Sequence, residues 1–351
     1  MDILPDIHTI GAVETCGYGQ ETPTYGEVGM PLPYPKEEKI YFEEEGHVYA
    51  LVVRNEEGSF AYRNYIVTSS SFIKYISAMV DGSINTEESL KNFFPIYDDT
   101  PFVSQFPDLF SQCVIKSDGS APYIPEDTHA RAMAIGTFFH WVAEHMILYG
   151  RNGMDPRNVI KRITHTDGFE ICKVSIDNLI QLFQTFGYGY FSKTELQVGS
   201  FKHRVCGSID AIHIDPVSGV YTIFDWKYSK TLANDLFRFK LEKNQEITPG
   251  VFSDIYIPDR LMRSSLKGYV VQLAVYKKLL EENNITVSNV AYLLVFAAIN
   301  NGANAIKSVI KIDLSLPGFM TETDTPISLV QKAFDDRIQR LSAGINKPLT
   351  N

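Results

Sequence analysis

Two short apolar runs carry charges that a buried strand should not hold. Ser208 to Ile214 contains Asp210, and Val220 to Lys227 contains Asp225 and Lys227 on either side of Trp226. Alternation along a strand sends Asp225 and Lys227 to the same face. A charge inside an apolar strand is costly unless it is paired or binds a metal. Two carboxylates and an ammonium on adjacent strands therefore read as a small site rather than as packing.

The elements around these residues are legible from pattern. Asp215-Pro216-Val217-Ser218-Gly219 separates the two runs and is turn-rich, so the runs form a β-hairpin. Upstream, Thr128 to Tyr149 reads as a helix, with Phe139, Val142, Ala143, Met146 and Ile147 at helical spacing and Gly150 as its stop. His140 and Glu144 share one face of that helix. Each has a plain alternative, a core histidine and a solvated glutamate. Ser175 to Phe186 reads as a second amphipathic helix, and Ser192 to Gly199 as a strand holding Glu195 that leads into the hairpin.

Downstream lies a long charged connection, Thr231 to Leu266, with Arg238, Lys240, Lys243, Arg260 and Arg263. A loop of that length is functional, mobile or a solvated insertion. The next helix starts near Ser265, pairs Gln272 with Tyr276 at i, i+4 and closes at Asn283-Asn284. Val290 to Ile299 is a buried strand, Val309 to Leu314 an edge strand, and Ser328 to Leu341 a terminal helix.

The N-terminal third is less informative. Residues 1–38 read as an irregular arm rich in Gly, Pro, Tyr and Glu. Tyr41 to Val53 and Tyr62 to Thr68 read as strands around a turn at Asn55 to Gly58. Thr68-Ser69-Ser70-Ser71 then caps a helix starting near Phe72, or seats a phosphate at its free N–H groups. Residues 81–128 carry no nameable chemistry. The organisation expected is an arm (1–38), N-terminal strands and helices packed on the core (39–130), and the core (131–351) with an insertion near 231–266.

Composition bounds the class. The 351 residues are 44% hydrophobic and 21% charged, ordinary for a globular chain with a sizeable core. No apolar run reaches membrane-spanning length, and the N-terminus lacks the features of a signal or transit peptide. The expected location is cytoplasmic, in a bacterial cell or an infected host. Cys16, Cys113, Cys172 and Cys206 are scattered without CxxC spacing, which points to a reducing compartment and to neither a disulfide framework nor a zinc or iron–sulfur site. With a net charge of −10, any polyanion partner must be held by a local basic groove.

Taken in chain order the signals run Gly136-Thr137-x-x-His140 with Glu144 four later, a strand Glu195, Gly207-x-x-Asp210, Asp225-x-Lys227, and Gln272-x-x-x-Tyr276. This order resembles the PD-(D/E)XK nuclease superfamily. Within it the match is to the branch of RecB-like nuclease domains, the mitochondrial genome maintenance exonuclease and phage exonucleases. The resemblance covers about Gly136 to Tyr276, with a weaker echo at His47, Tyr49 and Thr68 to Ser71. Ile209-Asp210 replaces the Pro-Asp pair of the family's name, a departure that spares the chemistry.

The resemblance implies an α/β fold with a restriction-endonuclease-like core, a central mixed β-sheet flanked by helices. It implies a metal-dependent DNA exonuclease acting on single strands or DNA ends in recombination, repair or replication. A structure-specific endonuclease of the same fold and a catalytically weak DNA-binding module are the alternatives. Mg²⁺ or Mn²⁺ would be held by Asp210, Asp225 and the Trp226 carbonyl, with His140 adding a nitrogen ligand. Lys227 would orient or deprotonate the attacking water. Glu144 and Glu195 would support the site or hold a second metal, Glu195 having strand anchoring as its alternative. Ser70, Ser229, Lys230, Gln272 and Tyr276 would touch DNA, core packing being the alternative for Tyr276. The basic connection, with Tyr228, Phe237, Phe239 and Tyr256 beside it, could arch over a single strand and stack on bases. The implied partners are DNA and a recombinase or single-strand-binding protein, with no membrane and no iron–sulfur cluster.

Overall fold

The computed structural model describes residues 38–43, 48–54, 60–63, 67–80, 128–158, 179–200, 202–203, 205–229, 232, 266–299, 304–319 and 323–342. The N-terminal arm, the stretch 81–127 and nearly all of the basic connection after Ser229 lie outside the described residues.

Three strands form a small antiparallel sheet: β1 (Glu38–Glu43), β2 (Val48–Arg54) and β3 (Phe60–Arg63), in the order β1-β2-β3. The single strand expected over Tyr41 to Val53 is thus two strands paired with each other, Tyr41 opposite Ala50 and Phe42 opposite Tyr49. Strand β1 ends at Glu43, opposite Val48 at the start of β2. Tyr62 to Thr68 divides as well. Its start belongs to β3, and β4 (Val67–Thr68) joins a different sheet.

That second sheet is mixed and six-stranded. It contains β4, β5 (Phe191–Ser200), β6 (Val205–Ile214), β7 (Tyr221–Tyr228), β8 (Val290–Ile299) and β9 (Asn304–Asp313). The observed β9 starts earlier than the edge strand read from the sequence. Strand β6 organises the sheet. β5 runs antiparallel along one of its edges. The other edge is shared, with β4 parallel at Val205 and Cys206 and β7 antiparallel from Ala211 to Ile214. β8 lies parallel to β7, which requires a crossover, and β9 turns back antiparallel.

Helices cover both faces. On one face α1 (Ser69–Val80), α3 (Leu266–Glu281) and α4 (Pro326–Ser342) pack Phe72, Leu273 and Phe334 into a core with Ile209, Ile223 and Leu293. On the other, α2 (Thr128–Arg151) and the helical run 179–186 bury Phe139, Met146 and Phe183 against Phe224, Trp226 and Leu294. Helix α4 begins two residues before its expected start. Pro326 takes the first helical position, where no N–H is needed. Thr325 and Ser328 then bond reciprocally, each backbone N–H donating to the other's hydroxyl at 2.9 Å. Helix α1 begins at Ser69, so Ser70 falls inside its first turn and not ahead of it. Helix α3 closes as expected: Asn283 Nδ2 donates to the Leu279 carbonyl at 2.9 Å, and Asn284 takes φ 61°. Among the described residues, no helix is long and apolar enough to cross a membrane.

Gly150 does not stop α2, which continues through Arg151. The left-handed residue after the helix is Gly153, at φ 71°. Gly150 instead admits an aromatic ring, since a Cβ there would lie 2.2 Å from Tyr188 Cγ. Gly150→Ala is therefore expected to destabilise the fold by about 1–3 kcal/mol through overpacking. In a Tyr188→Ala background the cost should shrink without vanishing, because the ring atoms are gone while the Cβ of residue 188 still lies 2.7 Å from the added methyl. Urea unfolding of the four proteins checks this.

Candidate metal centre

The site sits where β6 and β7 part. Their pairing ends at Ala211 opposite Phe224, while β7 goes on pairing with β8 through Asp225, Trp226 and Lys227. Asp210 and Asp225 are the first residues beyond the fork. Asp210 Oδ2 accepts the Trp226 N–H at 2.7 Å, so a carboxylate does the work of a missing strand carbonyl.

Strand alternation breaks at this point. Ile209 packs in the core under α1, α3 and α4, but Ala211 packs in the core under α2. Two residues apart on a regular strand would share a face. The switch turns Asp210 toward the edge of β6, into the fork. Glu195 stands opposite, between Leu196 paired with Ile209 and Thr194 paired with Ala211. Its φ is 47°, a left-handed conformation that costs a non-glycine residue about 1–3 kcal/mol and is tolerated where the surroundings impose it.

Side chains from both faces meet in the fork. His140, on α2, places Nδ1 3.4 Å from Glu195 Oε1 and 3.8 Å from Asp210 Oδ1. One ligand atom from each of these three residues lies within 4.8 Å of the others. Lys227 Nζ lies 2.8 Å from Asp225 Oδ2 and 3.9 Å from Asp210 Oδ2, and 5.5 Å from the centre of the Tyr269 ring. Asp210 and Asp225 are buried, whereas the side chains of His140 and Glu195 are 32% and 26% exposed, so the centre opens to solvent on their side.

Electrostatics follow from that burial. Burial pushes the Asp225 carboxyl up to about 6 against the pull of Lys227. Burial likewise raises Asp210, although Lys227 and His140 oppose it. For Lys227, burial works against the charge, but Asp225 and Asp210 outweigh it and hold the ammonium form. Burial also lowers His140, and Asp210 and Glu195 more than reverse the effect. Asp225 Oδ1 is buried with no hydrogen-bond donor among the described residues. A divalent cation would relieve this excess of buried carboxylate, and an imidazole nitrogen with carboxylate oxygens is a suitable donor set for one.

The predicted residues divide accordingly. Asp210, Asp225 and Lys227 converge, and His140 and Glu195 join them. Asp225 is not among the three converging ligand groups, its carboxylate being held by Lys227. Glu144 lies one turn along α2, buried, and is also outside that group. Ser229 donates its N–H to the Phe296 carbonyl at 2.7 Å and accepts the Leu232 N–H on its hydroxyl at 3.2 Å, just beyond the end of β7. Gln272 donates to the Tyr276 hydroxyl at 3.0 Å. Tyr276 is 2% exposed within the core under α3, which favours packing over contact with DNA. Lys230 and the side chain of Ser70 lie outside the described residues.

Sequence reasoning passed over Tyr269, Ser208 and Gln197. Tyr269 lies one turn before Gln272 on the same helix face, and Gln197 lies two residues after Glu195. Both spacings were visible signals.

Comparison with protein-family models, curated proteins and solved structures finds no match to this chain. The centre is therefore read from its own geometry.

Proposed function

We propose that this chain is a metal-dependent deoxyribonuclease of the PD-(D/E)XK superfamily, an exonuclease acting on single strands or DNA ends with Mg²⁺ or Mn²⁺. The reading is carried by one observation: His140, Glu195 and Asp210 converge at the β6–β7 fork beside the Lys227–Asp225 pair. The mixed sheet with helices on both faces is compatible with a restriction-endonuclease-like core.

His140, Glu195 and Asp210 would hold the ion, with Asp225 close behind. Such an ion supplies charge neutralisation on a phosphate and activation of water. Lys227 is kept charged by its two carboxylate neighbours, so its surroundings favour orienting water and offsetting phosphate charge over abstracting a proton. Asp225, its carboxyl raised by burial, pairs with Lys227 at 2.8 Å and would hold that ammonium beside the ion. The buried floor of the fork keeps these charges in a low dielectric, where each counts for more.

End-labelled single- and double-stranded DNA, incubated with Mg²⁺ or Mn²⁺ and with a chelator, tests the reading. Metal-dependent release of labelled nucleotides is expected, with circular DNA resistant. Lys227→Ala should lower the rate at least about a hundredfold. Nicking of circles would favour the endonuclease, and intact DNA binding with no cleavage in either metal would favour the binding module.

A further inference from the structure

The chemistry above leaves Ser208 and Gln197 without a task, yet both are wired to Glu195. Gln197 is opposite Ser208 in the β5–β6 register. Its amide nitrogen donates to the Glu195 backbone carbonyl at 3.2 Å and to Ser208 Oγ at 3.2 Å. Ser208 Oγ in turn donates to Glu195 Oε2 at 3.1 Å.

The direction of this relay is determined. An amide nitrogen only donates, so Ser208 Oγ accepts from Gln197, and its single hydrogen is left for the carboxylate. With the amide reversed, its oxygen would face the Glu195 carbonyl, acceptor against acceptor, and would compete for the serine hydrogen. The backbone carbonyl of Glu195 thus selects the orientation that aims a donor at the side chain of the same residue. With Oε2 engaged, Oε1 is the oxygen that faces His140 Nδ1.

Two costs accompany the arrangement. Gln197 is 7% exposed, and its Oε1 is buried with no donor among the described residues. Glu195 itself is held at positive φ. A glutamate at a solvent-facing opening would otherwise sample several rotamers and meet an ion in only some of them.

We infer that Ser208 and Gln197 are positioning residues that fix the Glu195 carboxylate for a divalent ion. The inference rests on the reading of His140, Glu195 and Asp210 as a metal centre. Groups that orient a ligand in this way are commonly worth 10- to 100-fold in metal affinity, roughly the effect expected here.

The test uses the full chain and Mn²⁺ alone, with free Mn²⁺ followed by its electron paramagnetic resonance signal. Ser208→Ala should weaken Mn²⁺ binding by roughly 10-fold or more. It should also raise the Mn²⁺ concentration for half-maximal cleavage more than it lowers the rate at saturating Mn²⁺. Ser208→Thr, which keeps the hydroxyl, should restore the affinity. Gln197→Met breaks the relay one step further back and should act in the same direction as Ser208→Ala. Asp210→Asn is the reference for a lost site. Wild-type affinity in Ser208→Ala and Gln197→Met, with loss in Asp210→Asn, overturns the relay and leaves the metal centre standing. Failure of the wild-type chain to bind Mn²⁺ overturns both.

Discussion

Asp210→Asn is expected to fold and to lose its response to divalent ions. The asparagine oxygen can still accept the Trp226 N–H that Asp210 Oδ2 accepts at 2.7 Å, so the fork between β6 and β7 keeps its bond. Lys227 keeps its nearer partner, Asp225, at 2.8 Å and loses only the attraction of the carboxylate at 3.9 Å. Burial makes a charged Asp210 unfavourable in the fold, so removing the charge should leave the metal-free protein at least as stable near neutral pH. The effect on ion binding has the opposite sign. Asp210 is the buried member of the three-residue ligand group, and a neutral amide is a weaker ligand than a carboxylate for a hard cation. Thermal unfolding with and without Mn²⁺ should show a metal-induced rise for the wild type and none for the variant, because a ligand stabilises only the state that binds it. Cleavage of labelled DNA should fall at least about a hundredfold. A variant with an undiminished Mn²⁺ response would remove Asp210 from the centre.

The parts of this fold that the sequence exposed are those decided locally. The apolar runs of β6, β7 and β8 are bounded by turn residues, and the periodicity of α2 and α3 is carried within each helix. Asp210, Asp225 and Lys227 stood out because each is a charge in an apolar run. The fork itself was hidden. It arises because β4 and β7 share one edge of β6, and the pairing of β4 with β6 joins Thr68 to Cys206 across a long stretch of chain. The change of face at Asp210 was hidden for a related reason. Opposite it stands Glu195 at positive φ, which a glutamate adopts only under tertiary constraint and which no neighbouring residue type announces. Gly150 misled because glycine serves both to end helices and to admit close contacts, and only the position of Tyr188 separates the two. Tyr276 posed a similar choice: its ring packs in the core under α3, and its hydroxyl accepts from Gln272.

Arg337→Met is expected to be the most destabilising single change away from the metal centre. Arg337 is 1% exposed, and its Nε donates to the His203 carbonyl at 2.5 Å. His203 is itself buried, with Nδ1 2.9 Å from Glu282 Oε1 and 2.9 Å from Ser200 Oγ, and its ring stands edge-on to Phe334 at 4.3 Å. The knot ties α4 and the turn after α3 to the connection between β5 and β6. Two effects compete in the substitution. Methionine removes the cost of burying a guanidinium and fills part of its volume. It also strands the groups that the guanidinium served, and removing one partner from a buried charged network commonly costs about 3–5 kcal/mol, more than the desolvation it recovers. A net loss of about 2–5 kcal/mol should appear as a lower urea midpoint with little change in slope. Arg157→Ala is the control. Its side chain is 62% exposed, 3.6 Å from an exposed Asp155, and the change should stay within about 0.5 kcal/mol of wild type. A loss below about 1 kcal/mol for Arg337→Met would mean that methionine's packing replaces the knot. Because none of these residues belongs to the converging ligand group, Mn²⁺ should still raise the unfolding temperature of Arg337→Met, which separates the stability of the sheet from the chemistry at its fork.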